Sequence, residues 1–171
     1  MAHLAQAEFK SLGIAVLTIS DTRIESNDTS GQYLADALGE AGHRLIDKNI
    51  VIDDIYQIRA QISQWVINPE IQVILTTGGT GFTVRDNTPE AVSILFDKDI
   101  EGFGELFRQI SYTEIGTSTV QSRALAGFIN RTGVFCVPGS TNACKTAWQK
   151  ILLEQLDSRQ KPCNFAPHLK A

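Results

Sequence analysis

Apolar runs of strand length alternate along this chain with stretches whose apolar residues recur at helical spacing. That alternation constrains the fold more than any other feature. Strands joined through helices come to lie parallel, in a sheet covered on both faces. The run GIAVLTIS, 13–20, is continuously apolar and rich in β-branched residues, as a strand buried on both sides would be. In SGQYLADALGEAG, Tyr33, Leu34, Ala37, Leu38 and Ala41 share one helical face, with Ser30 expected as N-cap and Gly42 expected to end the helix. RLIDKNIVI reads as a second strand. Ile55, Ile58, Ile62, Trp65 and Val66 follow at helical spacing, begun by acidic residues and left at Pro69. IQVILTT is a third strand that runs into glycines.

The second half departs from this rhythm. Thr88 and Pro89 predict a helix start, with Thr88 as cap. GFGELFRQIS predicts another helix, and Phe103, Leu106, Phe107, Ile110 and Tyr112 give it more apolar surface than one helix usually buries against a sheet. Two short apolar runs flank Asn130 to Gly133 and predict a hairpin, which makes the sheet mixed. Beyond them, Ala143, Cys144, Ala147, Trp148, Ile151 and Leu152 form one face of a last helix, capped by Ser140. The expected architecture is α/β, a three-layer sandwich with a mostly parallel, mixed sheet flanked by helices. It spans 1–171 as a single domain, with a flexible N-terminus over 1–12 and an extended C-terminal tail over 157–171. Phe165 and Pro167 place that tail on the surface or on a neighbour.

Composition sets the outer limits. At 171 residues, with 43% hydrophobic and 20% charged content, the chain has enough material for one well-filled core. A net charge of −4 gives no reason to expect nucleic acid as a partner. No apolar run is long enough to span a bilayer, and MAHLAQAEFK lacks the apolar core of a secretory signal. Cys136, Cys144 and Cys163 are odd in number and widely spaced, which predicts reduced thiols in a cytoplasmic protein. His3, His43 and His168 are too scattered for a histidine-built metal site.

Function is expected at the carboxyl ends of the strands, where open α/β sheets bind ligands. The first strand ends in Ser20, Asp21 and Thr22. The third ends in Thr77, Gly78, Gly79, Thr80 and Gly81, and the last in Pro138, Gly139 and Ser140. Glycines let backbone N–H groups approach an anion, and a helix start adds positive potential. Two such loops at one end of one sheet predict a ligand with more than one phosphate. Neither standard fingerprint fits: no lysine follows Gly81 as a P-loop requires, and SDTRIESNDTSG carries a single late glycine.

Asp86 follows the glycine loop closely enough to share its cleft. Asp53 ends the second strand, with Asp54 beside it as an equal candidate. Carboxylates facing phosphates repel them unless a cation intervenes, and Mg²⁺ bridges one or two carboxylates to phosphate oxygens. Each acid also has a purely structural reading, Asp86 as a cap or a partner of Arg85, and Asp53 as a charge at a helix N-terminus.

The strings TTGGTGFTVRDNTPEA, SGQYL, EGFGELFRQIS, QSRALAG, VPGSTNACKTAW and RQKPCNFAPHLK together resemble the molybdenum cofactor biosynthesis proteins, over nearly the whole chain from Gly13 onward. Related domains are the molybdopterin adenylyltransferases, the G domain of gephyrin and a domain of the competence-damage proteins. The resemblance implies a three-layer sandwich that binds molybdopterin and an adenylylation that uses ATP and Mg²⁺ and releases pyrophosphate. It implies that Asp86 and Asp53 are catalytic and hold the metal, although the family's Pro-Asp-Glu turn reads Ile52-Asp53-Asp54 here. Substrate and phosphate contacts are expected from Ser20, Asp21, Ser30, Gly78, Gly79, Thr80, Gly81, Thr88, Ser122, Arg123, Pro138, Gly139 and Ser140. It further implies a homo-oligomer, a trimer or a hexamer of two trimers, while the charge and the short apolar runs predict no nucleic acid and no membrane as partner. A non-catalytic molybdopterin-binding or partner protein of the same pathway is the alternative.

Overall fold

The structure, a computed structural model, describes residues 7–171. The strands are β1 (Gly13–Ile19), β2 (Arg44–Val51), β3 (Val73–Thr77), β4 (Lys98–Asp99), β5 (Leu125–Ile129) and β6 (Thr132–Val137). They form one six-stranded sheet in the order β2-β1-β3-β6-β5-β4. β1, β2, β3 and β6 pair parallel, whereas β5 pairs antiparallel with both β6 and β4. The helices are α1 (Thr29–Glu40), α2 (Ile55–Val66), α3 (Thr88–Val92), α4 (Glu101–Ile115) and α5 (Thr141–Ala147), the last continuing through a π turn (Trp148–Leu152) into α6 (Leu153–Gln155).

The period-two alternation of the central strands divides the core in two. Ile14 and Val16 of β1, Val73 and Leu75 of β3, and Phe135 and Val137 of β6 point to one face. There they meet Leu34 and Leu38 of α1, Phe103 and Phe107 of α4, and Cys144, Ala147 and Trp148 from the last helical run. Ala15, Leu17 and Ile19, Ile74, and Val134 and Cys136 point the other way, onto Ile58, Ile62 and Trp65 of α2 and Ala91 and Val92 of α3. The sandwich therefore has three layers. Every residue of β1, β3 and β6 is buried, which is why these segments read as continuous apolar runs.

Two helix starts differ from expectation. Asp28, not Ser30, caps α1: its side chain accepts from Gly31 N, and Ser30 is already inside the first turn and buried. Asn87 holds the cap position of α3, while Thr88 is the first helical residue and turns its hydroxyl onto Gly78 O at 2.8 Å. In both cases the side chain meets the sheet layer or its loop: Asp28 Oδ2 accepts from Thr18 Oγ1 of β1 at 2.8 Å, and Thr88 donates to Gly78 O. Local spacing does not show that contact. Ser140 caps α5 as expected, accepting from Ala143 N.

The hairpin closes through Asn130 and Arg131, whose φ values of 48° and 59° make a two-residue turn matched to strand twist. Arginine is disfavoured there, but the tail braces it. Lys170 N donates to Arg131 O and Arg131 Nη2 to Leu169 O, both at 2.9 Å. The tail packs on its own chain: Leu169 is buried, and Phe165 meets Phe128 and Phe135. It is compact near its end, with a 3₁₀ turn at Ala166–His168. The first half of the expected flexible N-terminus, 1–6, lies outside the described residues. Within 7–12, Phe9 packs on His43 and Leu12 is buried.

Candidate functional site

The parallel order brings the carboxyl ends of β1, β3 and β6 side by side. A cavity of about 440 Å³ opens there, lined by Ile19, by Gly78 to Gly81, by Asp86, and by Pro138, Gly139 and Ser140. Its opposite wall comes from α4, the 3₁₀ helix Gly116–Gln121 and α5. These add Phe107, Ser111, Glu114, Ile115, Ser118, Thr119, Gln121 and Ser122, then Asn142, Ala143 and Thr146. That volume suits a small-molecule ligand. Among the described residues no Lys, Arg or His lines it, and the charged side chains that do are Asp86 and Glu114.

The glycines are required by close approach. Gly78 has φ 107°, and a Cβ on it would sit 2.2 Å from Ile19 O. Gly79 has φ 66°, and a Cβ there would lie 2.4 Å from Thr88 Oγ1 and 2.5 Å from Asp53 Oδ2. The ends of β3 and β6 are tied together: Gly78 N donates to Val137 O at 3.0 Å, and the Thr77 hydroxyl donates to Pro138 O at 3.1 Å.

Behind this loop three aspartates are held differently. Asp86 Oδ2 accepts from Thr83 N at 2.9 Å and Thr83 Oγ1 at 2.7 Å. Burial pushes its carboxyl upward, but the Thr83 and Gly81 hydrogen bonds and the Arg123 charge outweigh it, so its pKa is lowered. Asp53 lies beneath Gly79, 4% exposed. Its Oδ1 accepts from Asn87 N at 2.9 Å and Asn87 Nδ2 at 3.1 Å, which leaves Oδ2 on the Gly79 side. Burial raises the Asp53 pKa against those two donors, and the negative charges of Asp86 and Asp21 add to the rise. Asp54 is the cap of α2, accepting from Tyr56 N and Gln57 N, and so faces away from this chemistry. Of the two neighbours, Asp53 is the one beside the glycine loop.

Several residues expected at the ligand lie outside the cavity lining, Asp53 among them, since it sits buried behind Gly79. Asp21 forms a two-pronged pair with Arg85, at 2.8 and 2.7 Å, and also accepts from Asp53 N. The Arg85 hydrogen bonds bring its pKa down to about 2. Ser20 accepts from Thr22 N and Arg23 N and shapes its own turn. Ser30 and Thr88 are buried structural groups. Arg123 turns its guanidinium onto the loop main chain, with Nε donating to Gly81 O at 2.8 Å and Nη2 to Asp86 O at 2.9 Å. The cavity does collect Gly78, Gly79, Thr80, Gly81, Asp86, Ser122, Pro138, Gly139 and Ser140.

Sequence reasoning missed the α4 wall. Phe107, Ser111, Glu114 and Ile115 stand at i, i+4, i+7 and i+8, one helical face. A serine and a glutamate interrupting that stripe were the available signal. No group of three or more His, Cys, Asp or Glu among the described residues is placed to hold a metal by itself. The donor set does fit a hard cation that arrives with phosphates, which needs only one or two carboxylates from the protein.

Fold and cavity define the class, an α/β protein with a ligand cavity at the carboxyl ends of its parallel strands. The model of the family described as "Probable molybdopterin binding domain" matches residues 15–158, and the chain belongs to that family. It is similar to molybdenum cofactor biosynthesis protein B of Escherichia coli (strain K12), 56% identical over 163 residues that cover 95% of this chain and 96% of the relative. A crystal structure of molybdenum cofactor biosynthesis protein B matches it with a TM-score of 0.84 at 49% identity, covering 86% of this chain and 92% of that one. The crystal structure of tungsten cofactor synthesizing protein MoaB from Pyrococcus furiosus matches with a TM-score of 0.76 at 38% identity, covering 85% and 92%.

Proposed function

We propose that this protein acts in molybdenum cofactor biosynthesis, binding molybdopterin in the cavity and adenylylating it with ATP and Mg²⁺. The observation that carries the reading is the convergence of the Gly78–Gly81 loop, the Gly139–Ser140 turn and Asp86 on one cavity. The family description and the names of the relatives support the pterin and the pathway. In the reaction an oxygen of the terminal phosphate of molybdopterin bonds to the α-phosphorus of ATP. The bond from that phosphorus to the bridging oxygen breaks, and pyrophosphate leaves with its electron pair.

The chain's part is to align two anionic reactants and offset their charge. Backbone N–H groups of Gly79 and Thr80 in the glycine loop, and of the turn before α5, would cradle phosphate oxygens, since Gly78 N is held by Val137 O. Asp86, kept ionised by Thr83, and Asp53, oriented by Asn87, would hold Mg²⁺ at the phosphates. Mg²⁺, when bound, neutralises phosphate charge and polarises the α-phosphate. Hydroxyls and amides of Ser111, Gln121, Ser122 and Asn142 supply partners for the heteroatoms of a pterin. The same reading places the protein in the cytoplasm as a trimer or hexamer, consistent with its free, buried thiols Cys136 and Cys144.

The test is release of pyrophosphate from purified protein given molybdopterin, ATP and Mg²⁺. Pyrophosphate should match adenylylated product mole for mole. The lack of a cationic side chain among the described residues of the cavity wall favours the second reading, a binder that passes molybdopterin on. Pterin binding with no pyrophosphate at all would select it.

A further inference from the structure

The cavity is chemically polarised, and its second carboxylate is unused by the reaction above. At one end are backbone amides and glycines. At the other, Glu114 of α4 presents a carboxylate whose Oε2 accepts the Thr146 hydroxyl at 2.8 Å. Thr146 follows Ser140 by six residues along α5, which puts it ~9 Å further along the helix axis. A carboxylate there repels a phosphate. Glu114 is exposed at the cavity wall, and no Lys, Arg or His among the described residues lines the cavity, so its remaining acceptor sites are open to N–H donors from a ligand in place of water. Phe107 and Ile115, on the same face of α4, supply apolar walls for a flat ring.

We propose that Glu114 is a specificity-determining residue that reads the 2-amino-4-oxo edge of a pterin. Its carboxylate accepts from the exocyclic amine and the adjacent ring N–H, two parallel donors that match two carboxylate oxygens. Thr146 holds the carboxylate in place. Glu114 thereby sets the direction of the ligand, ring toward α4 and phosphate toward Gly78–Gly81. This rests on the reading of the cavity as a molybdopterin site and assigns the part of it that discriminates between rings.

The experiment uses two stable probes, 6-hydroxymethylpterin phosphate and its lumazine counterpart, in which the 2-amino group is replaced by an oxo group. Each is titrated by fluorescence into the full-length protein and into Glu114→Gln, with inorganic pyrophosphate affinity measured alongside. The glutamine keeps an oxygen for Thr146, so the fold should hold. Wild type should prefer the pterin by about tenfold or more, because the lumazine lacks a donor the site is built to receive. In Glu114→Gln the preference should vanish or invert, since a carboxamide can donate to the new oxo group, with pyrophosphate affinity unchanged. Equal affinity of wild type for the two rings, or undiminished preference in Glu114→Gln, overturns the role of Glu114 while leaving the molybdopterin reading standing. Pyrophosphate binding without measurable binding of either ring overturns that reading, and the proposal with it.

Discussion

Arg123 carries the main chain of Asp86. Its Nη2 donates to the Asp86 carbonyl at 2.9 Å and its Nε to the Gly81 carbonyl at 2.8 Å. Its Nη1 pairs with Glu90 at the start of α3, and the guanidinium lies over Phe82, 5.1 Å from the ring centroid. One side chain thus ties both ends of the 81–86 segment. The planar fork is needed, because a lysine ammonium cannot reach these acceptors together. Arg123→Lys should lower turnover roughly tenfold to a hundredfold, through misplacement of Asp86. Stability should fall by about 1 kcal/mol. Steady-state kinetics and urea unfolding on the same variant check both.

Asp86→Asn should separate binding from turnover. The amide can keep the hydrogen bonds from Thr83, so stability should change by about 1 kcal/mol or less. An amide is a poor ligand for a hard cation, and loss of one such electrostatic element costs about a hundredfold or more in rate. Molybdopterin affinity should hold or rise, since a negative charge near its phosphate is gone. Pterin titration and pyrophosphate release, measured side by side, show the split. A wild-type rate would make Asp86 a structural residue.

Asp53 is a carboxyl whose charged form the fold disfavours. Its pKa is raised in the folded state by burial, despite Asn87 and with the added repulsion of Asp86 and Asp21. The folded protein therefore holds this proton more tightly than the unfolded chain. That contribution to stability is fully present below the unfolded carboxylate value and is lost as pH rises through the folded one. Asp53→Asn removes the titration. The variant should be more stable than wild type at neutral pH, with the gap closing as pH falls into the acid range, while turnover drops about a hundredfold. Thermal melts across that range decide it, and a gap that widens in acid would contradict the assignment.

Gly79→Ala tests the cradle itself. A left-handed backbone costs a residue with a Cβ roughly 1–2 kcal/mol, and here the methyl would also meet Thr88 Oγ1 at 2.4 Å and Asp53 Oδ2 at 2.5 Å. Destabilisation of about 2 kcal/mol or more is expected. Pyrophosphate affinity should be lost along with it. Denaturant midpoints and calorimetry measure the two effects.

Leu106, Tyr112 and Ile115 of α4 stay 41%, 59% and 51% exposed, and Val120 beyond it 77%. Such apolar groups gain free energy when covered, about 25 cal/mol per Å² of apolar surface. Light scattering at micromolar concentration should give a trimer or a hexamer, and Tyr112→Glu should shift it toward monomer. A monomeric wild type would remove assembly from the proposal.

The spacing of apolar residues was enough to lay out β1, α1, β2, α2 and β3, because burial on one or both faces leaves a period that any reading of the chain can find. It was enough, too, for the hairpin at Asn130 and the cap at Ser140, where backbone geometry narrows the choice of residue. The glycine string marked one end of the cavity for the same reason. What spacing could not supply was direction. Asp21 follows the end of β1 and Arg123 is the neighbour of cavity-lining Ser122, yet Asp21 turns to Arg85 and Arg123 to the Gly81 and Asp86 carbonyls. Asp53 and Asp54 are adjacent, and only the packing of Gly79 over one of them tells their roles apart. The wall that carries Ser111 and Glu114 lies thirty or more residues from the glycines in sequence. It reaches them only because the sheet order sets β3 against β6 and lays α4 across that face. Local sequence records what each segment must bury, whereas the partners of a polar side chain depend on which distant segment the sheet brings beside it.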